Sequence, residues 1–212
     1  DEMYRSFTEK VIDPVHRNVR AAFGKDELID GVPYQDWVDY IGTAAPVYLN
    51  DYSQMQLRHS KISMSFSALL FGPFYFFYRK AWKPAFGFLA AELLLFVPTL
   101  ISMMQTTGSP LTAGISASAL VALSRIMSFL SFALMLVRGL YGKWFYRRSA
   151  AARIRRIRAE FPDSEQRRAV LNAQGGVSIA ACIGAFILLM IVGSLCSMLL
   201  GPDLNALVGT FI

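Results

Sequence analysis

Cysteine and histidine are scarce, and the few present do not cluster. The chain holds two of each among 212 residues. Cys182 and Cys196 lie fourteen positions apart in one apolar stretch. On a helix that spacing is roughly 21 Å, too far for a disulfide or a shared metal. His16 and His59 stand alone, so no Cys/His group has ligand spacing, and no metal or cofactor is expected. Also missing are a Ser-His-Asp set, a Cys-His pair, a glycine-rich phosphate loop and an HExxH string. Nothing argues for an enzyme. Neither an internal repeat nor a low-complexity linker is found. The sequence opens at Asp1 without an initiator Met or a signal-peptide pattern, as a trimmed chain would.

Charge is absent from long stretches as well. Between Ala85 and Val137 the only charged residues are Glu92 and Arg125. A spanning helix needs about 20 apolar residues, which 85–104 and 115–137 each supply, and 177–200 reads as a third span. The uncharged Gln105–Gly114 loop, with Gly108-Ser109-Pro110, is the outside turn, and Gly201-Pro202-Asp203 ends the last span outside. A short apolar tail, Leu204 to Ile212, follows.

The charge that remains is segregated. Residues 1–62 carry 7 basic and 10 acidic side chains, and residues 63–212 carry 14 and 5. This predicts a cytoplasmic helical segment, 1–62, joined to a membrane domain, 63–212. The net charge of +6 does not argue for nucleic acid, because the basic residues border apolar spans and the positive-inside rule accounts for them. From Arg138 to Arg158 there are eight basic residues and no acidic one. That puts 138–175 in the cytoplasm as a basic loop with short helices. In it Ile154, Ile157 and Phe161 share a face that can lie along anionic headgroups. Asp163 with Gln166 reads as a capping box, and Gly175-Gly176 as the stop of the helix that follows.

The first third reads as helices around aromatic residues. Residues 1–25 have helical spacing at Met3, Phe7 and Val11, and Asp26-Glu27 with Asp30-Gly31 form a polar turn region. Trp37, Tyr40 and Ile41 share a face before Gly42, and a helix from Pro46 aligns Tyr48, Leu49, Tyr52 and Met55. A small helical core is expected there.

The stretch from Ser63 to Pro84 is the most unusual. Its uncharged part, Met64–Tyr78, packs seven aromatic residues into 15, with a Gly72-Pro73 break and a following clamp of Arg79, Lys80, Trp82 and Lys83. Fifteen residues are too few to span, and both flanks are basic, which favours one side of the membrane for both ends. The expectation for 63–84 is an interfacial or re-entrant helix; the alternative is a fourth short span, with the N-terminus outside. The fold class predicted is all-α: a polytopic helical membrane protein with about three spanning helices, this aromatic helix and a small helical cytoplasmic N-terminal segment.

Several strings carry a family resemblance. Gly31-Val32-Pro33 through Trp37, Tyr40-Ile41-Gly42, Ala45-Pro46 with Tyr48, Ser65-Phe66, Phe71-Gly72-Pro73 and Tyr78-Arg79-Lys80-Ala81-Trp82 resemble the bacterial domain-of-unknown-function family 2628. The match is best over about Asp30 to Phe96, and Gly175-Gly176-Val177-Ser178 is similar too. The resemblance implies a small integral membrane protein of a bacterial inner membrane and supplies no reaction. Some relatives carry a zinc-binding module ahead of the membrane part; nothing in this chain matches one.

Two functions are expected from these features. The first is a scaffold or adaptor with its N-terminus in the cytoplasm, whose cationic cytoplasmic face binds anionic lipid or docks a protein partner or another copy. Its surface residues would be Arg79, Lys80, Trp82, Lys83, Arg153, Arg155, Arg156 and Arg158. The second is a subunit of a small transporter or channel using Glu92 and Arg125, since an intramembrane charge is a functional candidate by default. The two lie about 7 and 13 residues deep in their spans, roughly 9 Å apart along the normal, so a direct bridge is not favoured. Ser124, Ser128 and Ser131, and the pairs Ala180/Gly184 and Gly193/Ser197, are read as helix-packing positions.

Overall fold

The computed structural model describes residues 28–106 and 114–199, with side chains to Leu195. The helix expected in residues 1–25, the loop tip and the C-terminal tail lie outside them.

The described chain opens with a small hairpin that sequence spacing did not show. Strands β1 (Leu28–Ile29) and β2 (Val32–Pro33) pair antiparallel, Leu28 opposite Pro33 and Ile29 opposite Val32. Asp30 and Gly31 both take positive φ, 54° and 72°, the pattern of a tight hairpin turn. Ile29 and Val32 point into the core, and Trp37 Nε1 donates to the Ile29 carbonyl at 3.1 Å.

Helices α1 (Tyr34–Ile41) and α2 (Ala45–Leu57) follow the predicted stripes. Gly42, at φ 78°, ends α1, and Pro46 sits in the first turn of α2, where a missing N–H costs nothing. Tyr48, Leu49, Tyr52 and Met55 all face inward.

The aromatic stretch breaks at Gly72 into α3 (Phe66–Phe71) and α4 (Pro73–Tyr78). Each is six residues, about 9 Å, so neither crosses a bilayer core of about 30 Å. Ser65 caps α3 through its side chain. Ahead of it, Ser63 N and Ser65 N donate to the Leu140 and Gly139 carbonyls of a later helix at 3.0 and 2.8 Å.

Among the described residues three helices are long and apolar enough to cross a membrane: α5 (Trp82–Thr106), α6 (Ala117–Glu160) and the one ending the described chain, α8 (Ile179–Leu199). They make this a multi-pass membrane protein. Between α6 and α8 lies α7 (Ser164–Gln174), capped by Asp163 as expected.

One expectation is corrected here. Residues 138–160 are not a loop with short helices but the direct continuation of the span's helix, 44 residues in all. At 1.5 Å per residue α6 is about 66 Å long, roughly twice a bilayer core. A row of arginines does not interrupt a helix; arginine is a good helix former.

The core sits on the extension, not among the spans. Trp37, Tyr52, Phe76, Tyr146, Ile154 and Leu171 are fully buried where α1, α2, α4 and α7 meet residues 146–157 of α6. The Ile154/Ile157 face expected on headgroups therefore packs against protein. In contrast, only 11%, 6% and 11% of the most apolar windows of α5, α6 and α8 are buried, so their outer faces need another apolar cover.

Close approach is built in where α3 meets α6. A Cβ on Gly139 would stand 2.6 Å from Leu69 Cδ1, and one on Gly142 2.6 Å from Ala68 Cβ. By comparison, Gly184 and Gly193 face open space, so the packing expected at those two positions is not made among the described residues. Of the serines, Ser124 meets Ser102 of α5 at 3.5 Å, whereas Ser128 bonds its own helix.

Candidate functional site

The eight cationic and tryptophan residues expected on one surface divide into two groups. Four of the basic residues are engaged by the protein itself, Arg79 and Lys80 half-buried and Arg155 and Arg158 from the surface. Arg79 follows α4, and its guanidinium lies 4.5 Å from the Tyr48 ring centre and 5.7 and 5.8 Å from Tyr146 and Tyr78. Lys80, in the left-handed region at φ 55°, caps the end of α7: its Nζ donates to the Gly175 and Ala173 carbonyls at 2.6 and 3.3 Å. Partial burial, then the nearby charge of Arg153, lower its pKa from the usual lysine value. Arg155 donates to the Asp30 carbonyl at 3.0 Å, and Arg158 pairs with Asp36 at 2.9 Å.

The other four come together. Trp82 and Lys83 open α5, and on the facing side Trp144, Arg148, Arg153 and Arg156 descend α6; between them runs an open groove of about 650 Å³. Lys83, Arg148 and Arg156 are exposed and Arg153 is half-buried. Arg148 stands 5.6 Å over the Trp144 ring and Lys61 Nζ 5.5 Å over it. Arg156 pairs with Glu160 along the helix at 2.8 Å, and Arg153 reaches the Lys80 carbonyl at 3.4 Å. Glu160 is thus the one carboxylate hydrogen-bonded to a groove cation by a described contact, and the groove lining itself holds no acid. A tryptophan and at least one cation on each wall make a groove suited to an oxyanion bordered by apolar material.

Trp144 and Arg148 were missed in the sequence. The signal was present: Trp144 and Arg148 are i,i+4 neighbours, and Arg156 lies two such steps further along the same side of a helix. It becomes visible only when 138–160 is read as helix rather than loop.

The intramembrane charges also part company. Glu92 accepts a hydrogen-bonded ion pair from Arg138, not from Arg125. Arg138 is almost fully buried and packs over Gly72, where a Cβ would come within 3.3 Å of its guanidinium. Arg125 is exposed on α6, with no ion-pair partner among the described residues. No group of three His, Cys, Asp or Glu among the described residues could hold a metal.

A match to the family described as "Protein of unknown function (DUF2628)" covers residues 18–151. The chain belongs to the DUF2628 family. No curated protein and no solved structure matches it. The DUF2628 match takes in the hairpin, α1 to α5 and α6 as far as Ala151, and stops short of α7 and α8. Within the groove, Trp82, Lys83, Trp144 and Arg148 fall inside the DUF2628 portion, while Arg153 and Arg156 lie beyond it.

Proposed function

We propose that this DUF2628 protein is a non-enzymatic scaffold of a bacterial cytoplasmic membrane that holds anionic lipid in the groove between α5 and α6, with its N-terminus on the cytoplasmic side. The observation that carries the reading is the convergence of Trp82, Lys83, Trp144, Arg148, Arg153 and Arg156 at the first turn of a spanning helix. Tryptophan is favoured at the headgroup level and basic residues on the cytoplasmic flank, so the groove opens where anionic headgroups lie. Each basic side chain near such a surface contributes about 1 kcal/mol, which the groove multiplies over four cations. Use as a transporter subunit gains nothing from the intramembrane charges, because Glu92 is neutralised by Arg138 and Arg125 stands apart on the exposed face.

The test uses the native tryptophans as reporters in vesicles. Trp37 is buried in the core, whereas Trp82 and Trp144 line the groove. Phosphatidylglycerol with brominated chains should quench the emission more than brominated phosphatidylcholine at equal mole fraction. The excess should shrink at high salt and in the triple variant Lys83→Gln, Arg148→Gln, Arg156→Gln. Equal quenching by both lipids would remove the proposal.

A further inference from the structure

A second cavity, sharing no lining residue with the groove, lies between the broken aromatic helix, Tyr48 of α2 and the first turns of α8. Its volume is about 700 Å³, within the range of small-molecule sites. The α8 wall is tied to α4 by two contacts: Ser178 N donates to the Tyr78 carbonyl at 2.8 Å, and Cys182 Sγ to the Phe74 carbonyl at 3.5 Å.

The cavity has two unlike ends. One is apolar: Phe71, Ile183 and Phe186 line it and stay 64%, 54% and 57% exposed, so it opens sideways onto the surface that the spanning helices share. The other end is Arg79. Among the described residues its Nε and Nη1 are buried and find no well-aligned hydrogen-bond acceptor, and the lining contains no Asp or Glu. Three tyrosine rings attract the guanidinium, each contributing on the order of 0.5–2 kcal/mol. The Tyr48 and Tyr146 hydroxyls lie beside the guanidinium as poorly aligned acceptors, which leaves Nε and Nη1 open to a better one. Beside it the Tyr48 and Tyr75 hydroxyls lie 3.1 Å apart. In such a pair one hydroxyl donates to the other, and the acceptor keeps its own proton to give away.

A half-buried cation with two buried, open donors, a spare hydroxyl proton and an apolar exit define a complementary molecule. The geometry points to an anionic amphiphile as the occupant: an oxyanion head, carboxylate or phosphate, on Arg79, with its acyl chain leaving between Phe71 and Phe186. Arg79 supplies the planar fork that suits either head, and the Tyr48/Tyr75 pair adds one donor. This inference does not depend on the groove, whose cations take no part in it.

Cys182 lines the cavity and reports its occupancy. The full chain, carrying Cys196→Ser so that one thiol remains, is held in neutral detergent, and Cys182 alkylation by a maleimide is timed. Hexadecanoate or hexadecyl phosphate should slow the reaction at least about tenfold at saturation, and uncharged hexadecanol should not. Whichever acid acts at the lower concentration names the head. Arg79→Gln should abolish the protection by both, whereas the groove triple variant should retain it. Because an arginine packed among three tyrosines is risky to replace, Ile183→Trp serves as a second variant that fills the apolar end. Native mass spectrometry should find a one-to-one hexadecanoate or hexadecyl phosphate adduct on the parent protein and none on Ile183→Trp. Protection by hexadecanol equal to that by the acids, no protection by either acid, protection that survives Arg79→Gln, or an adduct that survives Ile183→Trp would each overturn the inference.

Discussion

At the scale of single residues, the buried tyrosines carry the clearest consequences. Tyr52 is fully buried against Trp37, Tyr48 and Arg147, and its hydroxyl finds no hydrogen-bond partner among the described residues. Burial, then the neighbouring phenols of Tyr146, Tyr75 and Tyr48, raise its pKa well above the ordinary tyrosine value. The unfolded chain gives up that proton near pH 10, but the folded one holds it. The folded state is thus favoured while the phenol is neutral, and stability falls as the pH climbs past about 10 toward the folded value. Tyr52→Phe should leave stability at pH 8 unchanged or up to about 1 kcal/mol higher, since only an unpaired hydroxyl is lost. Thermal unfolding in detergent between pH 8 and 11 should then show a shallower alkaline decline than the parent. A substantial loss at pH 8 would mean that the hydroxyl is bonded after all. That Tyr52 points inward was legible from its four-residue spacing with Tyr48; that its hydroxyl lacks a partner was not, because its surroundings include Tyr75 and Tyr146, brought in from other elements by the fold.

At the scale of elements, the sequence yields helices well and their contacts poorly. Stops at Gly42 and Gly72, the Asp163 cap and the apolar spans each depend on a few neighbouring residues, so local reading finds them. The two-residue strands around Asp30-Gly31 carry too little alternation to be seen, and the extension of α6 was hidden because its charge density resembles a loop. Charge on a helix is no obstacle when the opposite face is Ala150, Ile154 and Ile157, all buried. The docking of α3 on α6 rests on small residues whose partners sequence cannot name. Gly142→Ala would ordinarily favour a helix by about 1 kcal/mol. Here the added methyl meets Ala68 Cβ, which cannot swing aside, so α3 must shift. A net destabilisation of about 1–3 kcal/mol is expected from denaturant or thermal unfolding. An increase in stability would show that α3 does not sit against Gly142.

At the scale of the whole molecule, the charge segregation has a second meaning. The acidic first third and the basic remainder are not merely neighbours with different surroundings. Asp30 pairs with Arg147 at 2.6 Å, Asp51 with Lys143 at 2.7 Å, Asp36 with both Arg158 and Arg167, and Asp39 with Arg168. The acids of the hairpin, α1 and α2 are spent on the cations of α6 and α7, and the two parts share one core. Composition showed that the charges were unequal; only the fold shows which are used up. What remains on the groove side is Lys83, Arg148 and Arg153, with Arg156 paired only along its own helix to Glu160, beside two tryptophans, a smaller cationic face than composition promised. The most direct test of that reading is to extract the protein from its native membrane in mild detergent and identify by mass spectrometry the lipid that stays with it. The account predicts anionic lipid enriched over its share of the membrane, with the enrichment lost in the Lys83→Gln, Arg148→Gln, Arg156→Gln variant. Retained lipid that mirrors the bulk composition, or a stoichiometric protein occupying the groove in place of lipid, would contradict it.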